Sequence, residues 1–329
     1  MHFVLAPIAS GILDFGPSHS IHLFQDELQE HSTVKVGFIG FGAIGTPMTA
    51  RILEAGHQLS VWNRTPAKVA DLTARGARQA STPAALADSC DVLCICVTGV
   101  EALEDVIFGA AGVTKSRTPP AYLVDHSTVP MGDTRGMAVR LEEATGSIWV
   151  DAPVSGGVVG AERGTLAAFV GGPEKALDAV RPILACYCDN ITHMGPTGTG
   201  QATKACNQMI GFLSAFAVAE ALVLGEQLGV DVNKLPDAFA GGFADTPAIR
   251  EWRRNMAEGP LIGLPLHTEA MRAFLSKRPA LPAYEGASPA NLRKDIDIIR
   301  ALARQTGTTL PLIEQMAVVV GLLHANREG

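Results

Sequence analysis

The chain has 329 residues, of which 47% are hydrophobic and 18% are charged, and its formal net charge is -7. At roughly 100–200 residues for a domain, this length accommodates two domains, and the composition excludes a chain that is disordered throughout. The negative charge and the lack of any run of Lys or Arg make nucleic acid a poor partner, so a small metabolite is the better expectation.

Residues 1–33 precede the first strongly patterned segment. They lack the basic segment, the apolar core and the cleavage site of a secretory signal, and their four acidic residues argue against a transit peptide. We expect a loosely ordered extension here and a protein of the cytoplasm. The six cysteines fit buried thiols in such a reducing compartment, and they are Cys90, Cys94, Cys96, Cys186, Cys188 and Cys206.

A metal site that joins Cys94 and Cys96 to Cys186 and Cys188 is an alternative use of the thiols. Each of these pairs has a single residue between its cysteines. That is shorter than the usual spacing of zinc ligands, so we predict no metal.

From Val34 onward, short β-branched runs alternate with helical segments. The predicted strands are 34–40, 59–63, 91–97 and 121–125, and the predicted helices are 44–55, 67–75 and 102–108. Such alternation indicates parallel strands joined by right-handed crossovers. We therefore predict an α/β fold whose first domain, residues 34–196, is a Rossmann-type doubly wound parallel sheet.

The pattern changes after Pro196. Residues 200–229 are helix formers almost throughout, and they predict a helix of about 45 Å at about 1.5 Å per residue. No strand signal of similar strength follows, so residues 197–329 are predicted to form an all-helical domain. Residues 209–225 are strongly apolar but contain Glu220, which favours a buried helix over the alternative, a membrane span.

A Gly-rich turn lies between the first predicted strand and the first predicted helix. Its sequence is Gly40-Phe41-Gly42-Ala43-Ile44-Gly45, a G-x-G-x-x-G motif in the context expected of a dinucleotide site. Gly40 permits the tight turn, Gly42 lets backbone N–H groups approach a pyrophosphate, and Gly45 lets the helix pack closely. A Gly-rich turn without a ligand is the alternative.

The end of the second predicted strand bears on which dinucleotide is held. An NAD site usually has an acidic residue there for the ribose hydroxyls, whereas this chain has Asn63, Arg64 and Thr65. Arg64 offers planar donors to a 2′-phosphate, Thr65 offers a hydroxyl, and Lys68 adds positive charge. The residues predict a preference for NADP, with NAD as a second possibility. The alternative for Arg64 is a solvated loop residue.

A second Gly-rich segment, residues 151–166, has too much glycine to be regular structure. Backbone N–H groups at Ser155, Gly156 and Gly157, with the Ser155 hydroxyl, suit the two oxygens of a carboxylate. Taken alone, the segment fits an ordinary surface loop better, because Gly and Ser are the usual loop residues.

The long helix carries a lysine near its N-terminal end. Lys204, Asn207 and Gln208 lie at i, i+3 and i+4 and so share one face. The positive end of the helix dipole disfavours a lysine there and lowers its pKa toward a range useful for proton transfer. A solvated helix lysine is the alternative when this segment is considered alone.

Together these segments resemble the β-hydroxyacid dehydrogenase family. The resemblance runs from Val34 almost to the C-terminus and rests on four ordered motifs, which are residues 37–45, 151–166, 200–207 and Lys294-Asp295. It implies an oxidoreductase that moves a hydride between a nicotinamide cofactor and a small hydroxy or oxo acid.

The resemblance also implies a role for each matching residue. Lys204 is expected to be catalytic, Asn207 to orient the substrate and the lysine, and Lys294 to approach cofactor and substrate from the helical domain. Ser155, Gly156 and Gly157 are expected to hold the substrate carboxylate. The residues expected beside the cofactor are Val97, Thr98 and Thr128. For Thr128, capping of the next helix is the alternative, because Pro130 suits the start of a helix.

Within the family, Gln208 after Asn207 and the turn 240–244 resemble the tartronate semialdehyde reductases. The 3-hydroxyisobutyrate dehydrogenases tend to have a second Asn in place of Gln208, and they are the alternative, with succinic semialdehyde and glyoxylate reductases. A non-catalytic NADP-binding module is a more distant alternative, and it conflicts with the presence of both lysines. Imine reductases usually replace the catalytic lysine, so Lys204 argues against them.

Two further expectations concern the helical domain. Relatives pack the long helix against a partner subunit, so a homodimer or homotetramer is expected through this helix. Residues 259–292 contain five prolines and do not match the segment that usually precedes the Lys-Asp motif. The sequence therefore does not predict the structure of this wall of the substrate pocket.

Overall fold

The structure is a computed structural model that describes residues 33–258, 264–277 and 289–325. Of the predicted N-terminal extension, residues 1–33, only Thr33 falls within these ranges. The strands are β1 (Lys35–Ile39), β2 (Gln58–Trp62), β3 (Arg78–Gln79), β4 (Val92–Ile95), β5 (Tyr122–Asp125), β6 (Ile148–Asp151), β7 (Val154–Ser155), β8 (Leu166–Gly171) and β9 (Cys188–Gly195).

Helices separate most of the strands and then make up the rest of the described chain. They are α1 (Gly45–Glu54), α2 (Ala70–Ala74), α3 (Pro83–Ala87), α4 (Val100–Phe108), α5 (Met131–Thr145), α6 (Gly157–Arg163), α7 (Glu174–Leu184), α8 (Thr199–Gln227), α9 (Leu235–Phe239), α10 (Pro247–Glu258), α11 (Leu264–Leu275), α12 (Pro289–Thr306) and α13 (Pro311–Ala325).

The strands form one mostly parallel sheet. Its order begins β3-β2-β1-β4-β5-β6, and each neighbouring pair in this part is parallel. The reversal of strand order between β1 and β4 is the switch point at which doubly wound folds bind ligands. The predicted fold class, a Rossmann-type sheet followed by helices, is confirmed.

Two features differ from the prediction. β8 runs antiparallel to β6 and β7 and parallel to β9, so the far end of the sheet is mixed. Residues 151–166 were expected to be irregular, and that expectation is wrong because they include β7 and α6. The glycines with positive φ, Gly156, Gly157 and Gly164, lie at the two ends of α6, where such backbone is needed, and do not interrupt it.

Both faces of the sheet are buried along β1, β2, β4, β5 and β6, as expected for parallel strands covered by crossover helices. Val36 and Phe38 of β1 lie on the face covered by Met48 and Ile52 of α1. Residues of the opposite face pack against α4 and α5, and this cluster includes Ile39, Leu93, Ile95, Leu123, Leu103, Ile107, Met137 and Leu141.

The central element of the helical part is α8, which matches the predicted long helix. By length and composition α8 could cross a membrane. In the fold it packs against β8 and contacts α10, α11, α12 and α13. Its inner residues join one apolar cluster with α11, α12 and α13, including Phe212, Met271, Ile296 and Met316. The buried apolar residues of α8 are therefore part of the core of the helical part.

Candidate active site

The turn between β1 and α1 has the geometry of a dinucleotide cradle. Gly40 has a φ of +103°, and a Cβ atom there would lie 2.1 Å from the Cys96 carbonyl oxygen. A Cβ atom on Gly45 would lie 2.0 Å from the Gly40 carbonyl oxygen. The protein itself therefore requires glycine at both positions. Gly42 is different, because no atom lies within 4 Å of its Cβ position, and its backbone faces open space.

The three other residues of this turn have different surroundings. The Phe41 side chain is buried and its ring packs against Phe38, with 5.9 Å between centroids, so only its backbone faces the turn. Ile44 is half-buried and packs on the core beneath the sheet, whereas Ala43 is exposed. The cradle that these residues form fits a dinucleotide pyrophosphate at the start of α1.

The end of β2 lies beside this turn, because Ile39 of β1 is in register with Trp62. Asn63 Nδ2 donates a hydrogen bond to the Thr65 carbonyl over 2.8 Å, which shapes the turn after the strand. Arg64, Thr65 and Lys68 are exposed. The Arg64 guanidinium makes no ion pair or hydrogen bond with any residue that the structure describes, so it is available to an anion.

The ends of β4 and β5 are joined by a serine. The Val97 N–H donates to Ser127 Oγ over 3.0 Å, and the Ser127 N–H donates to Asp125 Oδ1 over 2.9 Å. Thr98 is exposed and Thr128 is half-buried, so both have surface facing the carboxyl edge of the sheet. Burial raises the pKa of Asp125 to about 7, although the hydrogen bonds with Ser127 act to lower it.

Lys204 lies in the second turn of α8 and is only 7% exposed. Its Nζ atom donates to the Val154 carbonyl in β7 over 2.9 Å. Burial lowers the pKa of Lys204 to about 8, while Asp295 acts to raise it and Lys294 to lower it further. The lowered pKa has the direction expected from the sequence, and burial is its largest cause, which the sequence analysis did not foresee.

The start of α8 is fixed by a buried carboxylate. Asp151 Oδ1 accepts the Gly198 N–H over 2.7 Å, and Asp151 Oδ2 accepts the Gln201 N–H over 3.1 Å. A negative charge suits the N-terminal end of a helix, and these bonds satisfy N–H groups that the helix leaves free. A Cβ on Gly200 would lie 2.3 Å from the Phe169 carbonyl oxygen, so α8 approaches the sheet closely here.

The predicted substrate-binding residues meet α8 directly. Asn207 Nδ2 donates a hydrogen bond to Ser155 Oγ over 3.2 Å. This bond joins the motif on α8 to the Gly-rich motif of residues 151–166. Gly156 and Gly157 follow with exposed backbone and positive φ. No atom lies within 4 Å of the Cβ position of Gly157, so this backbone is open to a ligand.

The Lys-Asp motif of α12 closes the other side of the site. Lys294 Nζ donates to the Thr128 carbonyl over 2.9 Å and lies 3.3 Å from Asp295 Oδ1. Asp295 Oδ2 accepts Gln208 Nε2 over 2.8 Å. The four motifs found in the sequence therefore converge at the carboxyl edge of the sheet.

Sequence analysis missed Gln201 and His126. The Gln201 side chain is 2% exposed and binds the backbone of Ser127 and Val129. His126 is buried, and burial lowers its pKa to about 4. Its Nδ1 atom bonds the Ala152 carbonyl and must donate, so Nε2 accepts from the Tyr187 hydroxyl. A polar residue one turn before Lys204 was the available signal for Gln201; His126 gave none.

No cluster of three or more potential metal ligands occurs among the residues that the structure describes. The cysteines are all free, and Cys94 and Cys188 are buried. Burial raises the pKa of the Cys94 thiol well above its usual value. The thiols of Cys94 and Cys188 are therefore neutral packing groups in the core.

Comparison with known proteins identifies two matching sequence families. Residues 35–195 match the NAD binding domain of 6-phosphogluconate dehydrogenase, and residues 198–259 match the family described as NAD-binding of NADP-dependent 3-hydroxyisobutyrate dehydrogenase. The 2-hydroxy-3-oxopropionate reductase of Escherichia coli strain K12 is 36% identical over 252 residues, which are 75% of this chain and 85% of that protein.

Solved structures give the same result. The 3-hydroxyisobutyrate dehydrogenase of Mycobacterium tuberculosis, solved with L-serine, is 30% identical with a TM-score of 0.70 and covers 89% of this chain and 94% of its own. Psf3, solved with NADP+ and 2-OPP, is 25% identical with a TM-score of 0.71 and covers 87% and 93%. The chain belongs to the 3-hydroxyisobutyrate dehydrogenase-like β-hydroxyacid dehydrogenase family and is an NAD(P)-dependent oxidoreductase that acts on CH–OH groups.

Proposed function

We propose that this protein is an NADP-preferring reductase that converts 2-hydroxy-3-oxopropionate (tartronate semialdehyde) to glycerate in the cytoplasm. The observation that carries the proposal is a buried lysine, Lys204, set between the Ser155–Asn207 pair and the Lys294–Asp295 pair. The 36% identity to the Escherichia coli reductase supports this substrate.

The proposed cofactor site lies along the carboxyl ends of β1, β2, β4 and β5. Its residues would be Gly40, Phe41, Gly42, Ala43, Ile44, Gly45, Asn63, Arg64, Thr65, Val97, Thr98, Thr128 and Lys294. The free guanidinium of Arg64 and the absence of an acidic residue from 63–65 suit a 2′-phosphate, which supports NADP over NAD. The bound nicotinamide would supply the hydride that reduces the carbonyl carbon.

The proposed substrate site uses short donors around one carboxylate. Ser155 Oγ and the exposed backbone at Gly156 and Gly157 would hold the two carboxylate oxygens. Asn207 holds the Ser155 hydroxyl in place through its hydrogen bond. Fixing the acid at one end would align its carbonyl carbon for transfer, which makes the reaction effectively unimolecular.

Lys204 would act on the carbonyl oxygen. Its ammonium stabilises negative charge that develops on this oxygen and then donates a proton to form the hydroxyl group. The lysine is left neutral and regains a proton from water. Because burial lowers its pKa to about 8, both the charged and the neutral forms are accessible near neutral pH.

A second candidate function is the oxidation of 3-hydroxyisobutyrate or the reduction of succinic semialdehyde or glyoxylate. The match of residues 198–259 to the 3-hydroxyisobutyrate dehydrogenase family supports the first of these. The Gln208–Asp295 hydrogen bond distinguishes this chain from relatives with a second Asn, since asparagine is one methylene shorter. A non-catalytic NADP-binding role does not account for a buried lysine with a lowered pKa.

Assembly as a homodimer or homotetramer is also part of the proposal. Exposed apolar side chains lie on α8 and on the neighbouring helix α13, and they are Ile210, Leu224, Leu312, Val318 and Leu322. Exposed apolar groups on adjacent helices favour contact with a second copy of the chain. Light scattering at micromolar concentration should give at least twice the monomer mass, and a monomer would contradict this point.

The test of the function is steady-state oxidation of NADPH and NADH by the purified protein. The four acids to compare are tartronate semialdehyde, methylmalonate semialdehyde, succinic semialdehyde and glyoxylate. The proposal predicts the highest kcat/KM with tartronate semialdehyde and NADPH. A higher value with methylmalonate semialdehyde would favour the second candidate, and activity on none of the four would reject both.

A further inference from the structure

The side chain of Gln201 joins the first turn of α8 to the turn after β5. It is 2% exposed, and its amide makes two hydrogen bonds to the backbone of that turn. Gln201 Nε2 donates to the Ser127 carbonyl over 2.7 Å, and Gln201 Oε1 accepts the Val129 N–H over 3.3 Å. One amide therefore holds the peptide groups on both sides of Thr128.

The Thr128 carbonyl is taken by a different helix. It accepts Lys294 Nζ of α12 over 2.9 Å. Gln201 of α8 and Lys294 of α12 thus bind neighbouring backbone groups of the same turn, residues 127–129. If the turn moved, Lys294 would lose its carbonyl acceptor and would retain its ion pair with Asp295.

The backbone of Gln201 is fixed as firmly as its side chain. Its N–H donates to Asp151 Oδ2 at the end of β6, so the residue is bonded to the ends of two adjacent strands. It precedes Lys204 by three residues, which puts both side chains on one face of α8. A change in the Gln201 contact would therefore shift the turn relative to the lysine.

We infer that Gln201 is a positioning residue, which holds the Ser127–Val129 turn against the cofactor and presents the Thr128 carbonyl to Lys294. The inference rests on the proposed cofactor site, in which Thr128 lies beside the nicotinamide. It adds a role that motif matching does not assign, because Gln201 itself would touch neither substrate nor cofactor.

The substitution Gln201→Glu tests this role through pH. A glutamate of the same length still accepts the Val129 N–H with one oxygen. Its second oxygen can donate to the Ser127 carbonyl only when the carboxyl group is protonated. When ionised, it places a negative charge against that carbonyl. Low pH should therefore restore the contact, and high pH should break it.

The first readout is the Kd for NADPH from fluorescence titration between pH 5.5 and pH 9. The ratio of Kd for Gln201→Glu to Kd for wild type should rise by about tenfold across this range, as expected for one lost hydrogen bond. The second readout is the ratio of kcat/KM for the oxo acid, which should fall by a similar factor. Ratios to wild type remove the pH dependence that both proteins share.

Two further variants separate positioning from general loss of structure. Gln227→Glu makes the same substitution at the exposed end of α8 and should leave both ratios at one. Gln201→Met removes both hydrogen bonds and should weaken NADPH binding equally at every pH. If Gln201→Glu does not fold, Gln201→Asn, which shortens the reach, should weaken NADPH binding without pH dependence.

Constant ratios near one for Gln201→Glu or unchanged NADPH affinity in Gln201→Met and Gln201→Asn would overturn the inference. A pH-independent loss in Gln201→Glu that matches its loss of Tm would also overturn it, because general destabilisation explains such a result. The NADPH titration needs no substrate. A wild-type protein that binds NADPH but reduces no acid would reject the proposed function and leave this test intact.

Discussion

Replacing Lys204 with Met removes one buried ammonium and keeps an unbranched side chain of similar length. A positioned proton donor contributes about 10²–10⁴-fold to a rate. We therefore expect kcat/KM for reduction of the oxo acid to fall by that factor, which is about 3–5 kcal/mol of transition-state stabilisation. The Kd for NADPH should change little, because Lys204 contacts the Val154 carbonyl and not the proposed cofactor residues.

The same variant should not lose stability. Burial lowers the pKa of Lys204 from 10.5 to about 8, so the folded state holds this proton less favourably than the unfolded state does. At about 1.4 kcal/mol for each pH unit, the penalty is about 3 kcal/mol. It is fully present below pH 8 and disappears as the pH rises toward 10.5. Lys204→Met should therefore unfold at a temperature equal to or above that of wild type at pH 7.

The pH profile gives a second measure of the same lysine. In the direction of reduction, kcat/KM should be level below about pH 8 and fall tenfold per pH unit above it, because the ammonium is the active form. In the direction of oxidation, activity should rise through the same pH. The matched control is Lys234→Met, an exposed lysine on the helical part that should behave as wild type. Wild-type kcat/KM in Lys204→Met would refute the reasoning.

Three other substitutions test separate parts of the site. Arg64→Ser should raise KM for NADPH by about 10–100-fold and leave KM for NADH unchanged, since only the 2′-phosphate is lost as a partner; equal effects on both cofactors would contradict this. Gly45→Ala forces a Cβ atom within 2.0 Å of the Gly40 carbonyl oxygen, so a thermal melt should show a lower Tm and NADPH binding should weaken. Asn207→Asp adds a negative charge beside Ser155, so KM for the oxo acid should rise about tenfold while Kd for NADPH stays constant.

Local patterns predicted the parts of this protein that depend on neighbouring residues. The glycine turn could be identified because strand, turn and helix follow one another within residues 35–54. The shared face of Lys204, Asn207 and Gln208 follows from helical spacing alone, and both Asn207 and Gln208 bind partners from other elements. These inferences needed no knowledge of tertiary structure.

Contacts between distant segments could not be derived in this way. The sequence shows that Lys294 and Thr128 exist but not that the lysine meets the threonine carbonyl across 166 positions. The burial that lowers the pKa of Lys204 depends on the surrounding elements, so the sequence suggested the direction of the shift but not this cause. Gln201 has backbone partners, so its polar side chain on the Lys204 face of α8 was the one signal in the sequence, and that signal does not identify what it binds.

The segment that matched no motif illustrates another limit. Five prolines between residues 259 and 292 obscured a helical pattern, yet α11 spans Leu264–Leu275 and packs on α8. Its Thr268 Oγ1 donates to the Ala215 carbonyl over 3.2 Å, and the ring of His267 lies 5.7 Å from that of Phe212. Residues 259–263 and 278–288 of this segment lie outside the described part of the chain.

The most direct test of the central claim is the transfer of a labelled hydride. NADPH with deuterium at both hydrogen positions of nicotinamide carbon 4 is incubated with the protein and the four oxo acids, and the products are analysed by mass spectrometry. The account predicts one deuterium on the new alcohol carbon, with labelled glycerate as the main product from wild type and at least 100-fold less from Lys204→Met. Product acids without deuterium, or equal labelling by wild type and Lys204→Met, would contradict it.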